Sequence, residues 1–185
     1  MLQRRSLLRP PNGPKRSLAS TIPPVQVRLA HAGDVEAIRD IYNAEVTGST
    51  VTFDLVPRTA RGQRAWIARH QSVHPALVAV EGPEICGFGS LSPFRDRAAY
   101  TTTVEDSVYV GACWRRHGVG RVLLDELVRL ATRHGFHTVL ARTTGDNAAS
   151  IALHRACGFV IVGTEHEVGR KFGRWLDVVT LQKML

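Results

Sequence analysis

Apolar residues recur along this chain in two periods, and the switches between them mark out its elements. "VQVRLA" (25–30) alternates apolar and polar positions as a half-buried strand does. In "GDVEAIRDIYNAEVTG" the spacing lengthens, so Val35, Ile38, Ile41, Tyr42 and Val46 share one helical face and Asp34 stands where an N-cap belongs. "STVTFDLVP" (49–57) is short and β-branched, a loop edge rather than a core strand. A second helix is predicted from its cap Thr59 to about Ser72, presenting Ala65, Ile67 and Ala68.

The second half repeats the alternation. "PALVAVEGPEICGFGSLSPF" predicts a hairpin, with strands near 76–81 and 85–92 joined by the turn "EGPE". "TTTVEDSVYVGA" (101–112) predicts a long β-branched strand. A strong helix follows over 118–134, with Val119, Leu123, Leu127 and Leu130/Ala131 in one stripe. "FHTVLART" (136–143) is a further strand, and "DNAASIALHRACGF" (146–159) a helix capped by Asp146 or Asn147 and stopped by Gly158. "VIVGTEHEVG" and "RWLDVVTLQKML" close as an antiparallel pair. The order is β-α-α-β-β-β-α-β-α-β-β, which predicts an α+β fold: one domain, 25–185, of helices on a mainly antiparallel mixed sheet.

Charge changes this picture little once its distribution is counted. The formal net charge is +8, yet residues 1–24 hold Arg4, Arg5, Arg9, Lys15 and Arg16 and no acid. The remaining residues carry 19 cations against 16 anions, so the body is nearly balanced. The first 24 residues, with five prolines, read as a disordered basic extension. Their Arg- and Ser-rich, acid-free composition fits an organelle transit peptide, a start codon placed too far upstream, or an extension without a role. Aromatic interleaving of the kind nucleic-acid binders use is missing, and no apolar run approaches a membrane span. The reading is a soluble, cytoplasmic chain with neither a nucleic-acid nor a membrane partner. Cys86, Cys113 and Cys157 are odd in number and widely spaced, which predicts free thiols in a reducing compartment. His70 and His74 stand four apart, but no HExxH or Cys/His cluster accompanies them, and no metal is expected.

The chemistry gathers in "VYVGACWRRHGVGRVLL" (108–124), where a strand turns into a helix. A helix start leaves N–H groups unpaired and carries partial positive charge. Gly118 and Gly120 clear side-chain bulk from that backbone, and Arg115, Arg116 and Arg121 add formal charge beside it. This combination predicts a diphosphate site. It is neither a Walker loop, because Arg121-Val122 stand where Lys-Ser/Thr is needed, nor a dinucleotide fingerprint, because Leu123 replaces the third glycine.

"RRHGVG" resembles the Gln/Arg-x-x-Gly-x-Gly/Ala motif of the GCN5-related N-acetyltransferases (GNAT), and the element order resembles their fold. The resemblance implies that the loop, Arg115 to Arg121 with His117 and Val119, grips the pyrophosphate of acetyl-CoA. It further implies that the pantetheine arm pairs with the backbone of Val108, Tyr109 and Val110, as in strand addition. "STVTFDLVP", "FRDRAAY", "TVEDSVYV", "DNAASIALHRACGF" and "KFGRWLDVV" are similar, in sequence and order, to the phosphinothricin and methionine sulfoximine acetyltransferases. The fit runs from residue 27 to the end.

Acetyl transfer to an amine needs a base, a polarised carbonyl and a proton for the leaving thiolate. Glu105 interrupts a β-branched strand, where a carboxylate is costly unless used or paired, and the resemblance implies the same residue as general base. The N–H of Val108 or Val110 would polarise the thioester oxygen. His154 stands where many GNAT enzymes carry a tyrosine; as a residue that titrates near neutrality it either transfers a proton or lines the pocket. Asn147 would contact pantetheine by the resemblance, or serve only as an N-cap. Arg95 and Arg97 suit an acceptor with a carboxylate and a second polar end, with Tyr100 and Phe53 as walls. Asp96, between those arginines, and Ala98, where some relatives have an amide, depart from the pattern and bear on which acceptor is taken. The expectation is an acetyl-CoA-dependent N-acetyltransferase acting on the α-amine of a small amino-acid analogue, and a homodimer by analogy with relatives. Two further readings are a different amine acceptor, such as a protein N-terminus or a lysine, and a non-catalytic acyl-CoA sensor.

Overall fold

The computed structural model describes residues 25–185; the basic extension, and the reading made of it, lie outside the described residues. The elements run β1 (Gln26–Leu29), α1 (Val35–Gly48), α2 (Ala60–Arg69), β2 (Ala76–Glu81), β3 (Glu84–Pro93), β4 (Thr103–Val110), α3 (Val119–Arg133), β5 (Thr138–Thr144), α4 (Ala148–Ala156), β6 (Val160–Lys171) and β7 (Arg174–Met184). This is the predicted order. The strands form one sheet, β1-β2-β3-β4-β5-β7-β6, in which only the β4–β5 pair is parallel.

The sheet is covered on both faces. α3 buries Val119, Leu123, Leu124, Leu127 and Ala131 against Leu77, Ala79, Leu91 and Val104. On the other face α1 and α2 pack Val35, Ile38, Tyr42, Val46 and Ile67 against Ala76, Val78 and Phe88. β2 therefore feeds alternate residues to two cores, which explains why "ALVAV" is apolar without interruption. No helix among the described residues is long and apolar enough to cross a membrane.

Local chemistry fixes the ends. Thr59 Oγ1 accepts the Gly62 N–H at 3.0 Å and starts α2. Gly158, at φ +87°, ends α4 in the left-handed region. Asp34 occupies the N-cap position of α1 but makes no capping bond. Its buried carboxylate instead takes both terminal nitrogens of Arg28, at 2.7 and 2.8 Å, and the His31 N–H at 2.9 Å. α2 also departs from expectation: Gln63, Trp66 and Ile67 face inward, whereas Ala65 and Ala68 are exposed. Two alanines bury little area, and the helix turns instead to set Trp66 edge-on to Phe88, ring centroids 5.8 Å apart.

Candidate active site

β4 and β5 pair from Thr103↔Thr138 to Asp106↔Ala141 and then part, although both strands run on, to Val110 and Thr144. β4 keeps its antiparallel partner β3 as far as Val110. The sheet is thus split in the middle, and the backbone edge of residues 107–110 facing β5 is left for another chain-like group. A cavity of about 770 Å3 opens along that edge. It is lined by Val108, Tyr109 and Val110 from β4, Arg142 and Thr143 from β5, Asn147, Ser150, Leu153 and His154 from α4, and Arg115, Arg116, Gly118, Gly120 and Arg121 from the turn before and into α3.

In that turn Gly118 is the N-cap of α3 at φ +83°, and no side chain caps the helix. Arg116 also takes a positive φ, +65°, so the chain curls tightly ahead of the helix start. Gly120 has a packing role: a Cβ there would come within 3.1 Å of Leu153 Cδ2 on α4. Arg116, His117 and Arg121 are exposed, and Arg121 reaches Asp125 only at 3.5 Å. Arg115 turns away from the loop to pair with Glu45, a buried carboxylate on α1. His117 does not line the cavity, and Val119 is buried in the core, so its part in the loop is its backbone. Asn147 has both predicted roles open to it: Oδ1 accepts the Ser150 N–H at 3.1 Å, and the residue lines the cavity. The donor set suits a diphosphate: backbone N–H groups at a helix start and two exposed guanidinium groups.

Strand alternation sorts the rest of β4. Val104, Val108 and Val110 join the α3 core and Tyr109 the α1–α2 core, so Glu105, Ser107 and Tyr109 share the face turned toward α1 and α2. Glu105 is half-buried, and burial raises its pKa above the ordinary carboxylate value; Arg142 opposes that, while Asp106 and Glu165 reinforce it. A second cavity of about 200 Å3 lies on this face, lined by Tyr42, Arg58, Trp66, Phe88, Ser90, Ser92, Ser107 and Tyr109. Ser107 and Tyr109 line both cavities.

His154 is 5% exposed, and both ring nitrogens are engaged. Nδ1 lies 2.8 Å from the Ser150 carbonyl, which only accepts, so Nδ1 carries a proton. Nε2 lies 3.1 Å from Oδ2 of Asp106, itself 4% exposed, whose Oδ1 has no partner among the described residues. Burial disfavours the charged ring, but the hydrogen bond and charge of Asp106 and the Ser150 carbonyl outweigh it, and the pKa of His154 stands above the ordinary histidine value. Asp106 escaped the sequence reading, because nothing in "VED" tells which of two adjacent carboxylates faces α4.

The predicted substrate residues do not converge. Arg95 and Arg97 are exposed on the β3–β4 loop, where Arg95 stacks on Phe94 and Tyr100 at 4.9 and 5.9 Å. Phe53, 41% exposed, lies over Gly169 of β6, so close that a Cβ at that glycine would meet its ring. None of Phe53, Arg95, Arg97 and Tyr100 lines either cavity. Arg58 does, and sequence gave no sign of it.

A split sheet with a coenzyme-sized cavity along one strand edge and a basic turn at its end defines the class: an acyl-CoA-dependent transferase fold. Residues 35–159 match the model of the acetyltransferase (GNAT) family, and the chain belongs to that family. It is 37% identical to a phosphinothricin N-acetyltransferase of Streptomyces coelicolor, over 87% of this chain and 96% of that one. It is 39% identical to an L-methionine sulfoximine/L-methionine sulfone acetyltransferase of Pseudomonas paraeruginosa, over 84% and 92%. Among solved structures, a phosphinothricin acetyltransferase of Sinorhizobium meliloti in complex with acetyl-CoA matches with TM-score 0.84 at 35% identity, covering 87% of this chain and 88% of that one. The chain is an acetyl-CoA-dependent N-acetyltransferase. Acetyl-CoA is a substrate consumed in each turnover, and the turn and free strand edge fit it.

Proposed function

We propose that this enzyme acetylates the α-amine of a small amino-acid analogue with a second polar end, of the phosphinothricin and methionine sulfoximine or sulfone type, with Glu105 as general base. The observation that carries the proposal is the division of β4: the edge that suits the coenzyme opens on one side, and Glu105 stands on the other at the point where β4 and β5 part. An amine approaching from the Glu105 face meets the thioester at the split. Glu105 takes the amine proton, the nitrogen bonds to the carbonyl carbon, and the carbon–sulfur bond breaks with its electron pair on sulfur. The Val108 or Val110 N–H holds the carbonyl oxygen. His154 lines the cavity and hands a proton to the departing thiolate by releasing one of its two hydrogen bonds, to Asp106 or to the Ser150 carbonyl.

Arg95 and Arg97, exposed on the loop leading into β4 and outside both cavities, receive the acceptor's carboxylate where it extends from the Glu105 face, with Tyr100 beside Arg95 and Phe53 apart over Gly169. The names of the Streptomyces and Pseudomonas relatives support this acceptor class. The proposal includes a cytoplasmic homodimer: Cys86, Cys113 and Cys157 are free thiols, and β6 presents Val160, Ile161, Val162 and Val168 exposed beside Trp175.

The test is thiol release from acetyl-CoA across phosphinothricin, methionine sulfoximine, methionine sulfone and ordinary amino acids. Turnover concentrated on the first three supports the acceptor class, and a flat response removes it. Arg97→Ala should raise KM for the active acceptor at least tenfold while moving that for acetyl-CoA less than twofold; equal shifts would count against the loop's role.

A further inference from the structure

We infer that the smaller cavity is the subsite for the acceptor's far end, and that Arg58 is the residue in it that recognises an oxygen-rich group such as a phosphinate or sulfone. The inference rests on the acceptor class proposed above and assigns the part of the site that class leaves open.

The position of Arg58 is built. Its N–H donates to Asn43 Oδ1 at 2.8 Å and its carbonyl accepts from Asn43 Nδ2 at 3.0 Å, so α1 clamps the backbone of a residue that belongs to no helix or strand. The guanidinium carbon then lies over Tyr42, 3.6 Å from the ring centroid, with Trp66 at 5.4 Å. Its side chain is only 23% exposed. A guanidinium has five N–H donors, but the acceptors near this one are distant: Gln63 Oε1 at 3.5 Å and Asp54 Oδ2 at 3.8 Å. A rigid, half-buried cation with most of its donors unspent, at the wall of a cavity, is arranged to receive an anion or a strongly polar oxygen.

The opposite wall is hydroxyl-bearing. Across the β3–β4 ladder Ser90 pairs with Ser107 and Ser92 with Glu105, which sets these side chains in adjacent rows on one face. Glu105 is therefore two residues along β4 from Ser107, about 7 Å at the rise of a strand. Along this face the order is the Arg95–Arg97 loop, Glu105, then Ser107 and the cavity. An α-amino acid whose amine sits at Glu105 can send its carboxylate one way and its side chain the other. About 7 Å is the reach of a side chain four or five bonds long. Tyr42, Phe88 and Tyr109 set rings along the cavity, and a group lodged against them is partly shielded from water, which strengthens a charge-assisted contact.

The test compares phosphinothricin, methionine sulfone and methionine as acceptors for the wild type, Arg58→Met and Arg58→Lys. The ratio of kcat/KM for the sulfone to that for methionine should fall tenfold or more in Arg58→Met and less in Arg58→Lys. KM for acetyl-CoA should stay within twofold. Ser90→Val, which narrows the cavity from the sheet and leaves the arginine in place, should give the same loss if Arg58→Met fails to fold. A wild type that acetylates none of the three overturns both the acceptor class and the subsite. Acetylation with a sulfone preference unmoved by these variants overturns the subsite alone.

Discussion

Glu105→Gln exchanges one carboxylate oxygen for an amide nitrogen and keeps the side chain's volume, while removing its negative charge and its capacity to take a proton. Proton transfer by a positioned base contributes roughly 10²–10⁴ in rate, about 3–5 kcal/mol of barrier. The structure argues for a real loss, because burial has already moved Glu105 toward the pH at which a base works best, with Asp106 and Glu165 adding to that against Arg142. The base must be ionised, so wild-type kcat should fall as pH drops through its raised pKa, and that acid limb should be absent in the variant. Glu105 faces away from the coenzyme cavity, so calorimetric affinity for acetyl-CoA should change less than twofold. Thiol release followed from pH 5 to 9, with binding measured in parallel, checks all three expectations. A kcat within about fivefold of wild type, or an acid limb retained by the variant, would refute the base assignment. A parallel loss of coenzyme affinity would show that the two faces of β4 are not independent.

Two other perturbations test the frame that holds the site. Gly118→Ala puts a Cβ on a backbone at φ +83° with open space around it, so it should cost about 1–2 kcal/mol of strain without a clash, while Gly120→Val drives into Leu153. Both should weaken acetyl-CoA binding at least tenfold by calorimetry, the second with a rearranged α3–α4 contact; wild-type affinity in both would contradict the loop assignment. Asp34→Asn leaves Arg28 and the His31 N–H poorly matched and, because Arg28 is 39% exposed, should cost about 1–2 kcal/mol, lowering Tm by roughly 2–8 °C. Arg28 and the His31 N–H outweigh burial and hold the Asp34 carboxyl below the usual range, so its contribution is present above the unfolded carboxylate pKa and lost as pH falls through the folded one. A melting difference between the two proteins that does not shrink on acidification would oppose this.

Legibility tracks how local each signal is. The order of elements was readable because each declares its period within a dozen residues, and Thr59, Asn147 and Gly158 punctuate them by contacts within their own turns. The basic turn before α3 was readable for the same reason. Arg58 was not: its function depends on Asn43, fifteen positions earlier, and on a ring from α1 and another from α2. Asp34 misled because the sequence places a carboxylate at the N-cap but cannot show a guanidinium arriving from β1 to claim it. Arg95 and Arg97 were singled out by loop composition and resemblance, and they stand apart from both cavities.

The same distinction explains why β4 carries so much. A strand that ran beside β5 along its whole length would bury its edge and separate its two faces completely. Here the pairing stops at Asp106, and four more residues continue beside β3 alone. At that point neighbouring carboxylates acquire different surroundings from alternation by itself: Asp106 turns to α4, hydrogen-bonds His154 and helps raise the pKa of the ring, while Glu105 turns to the opposite face, where burial raises its own. Shifting β4 by one residue against its neighbours would turn Asp106 off the α4 side and set either Glu105 or Ser107 before His154 in its place. The register of β4 with β3 and β5, fixed on one side by Val104 in the α3 core and on the other by Tyr109 stacked on Phe88 at 5.0 Å, therefore decides which of the two carboxylates meets His154 and which the opposite face.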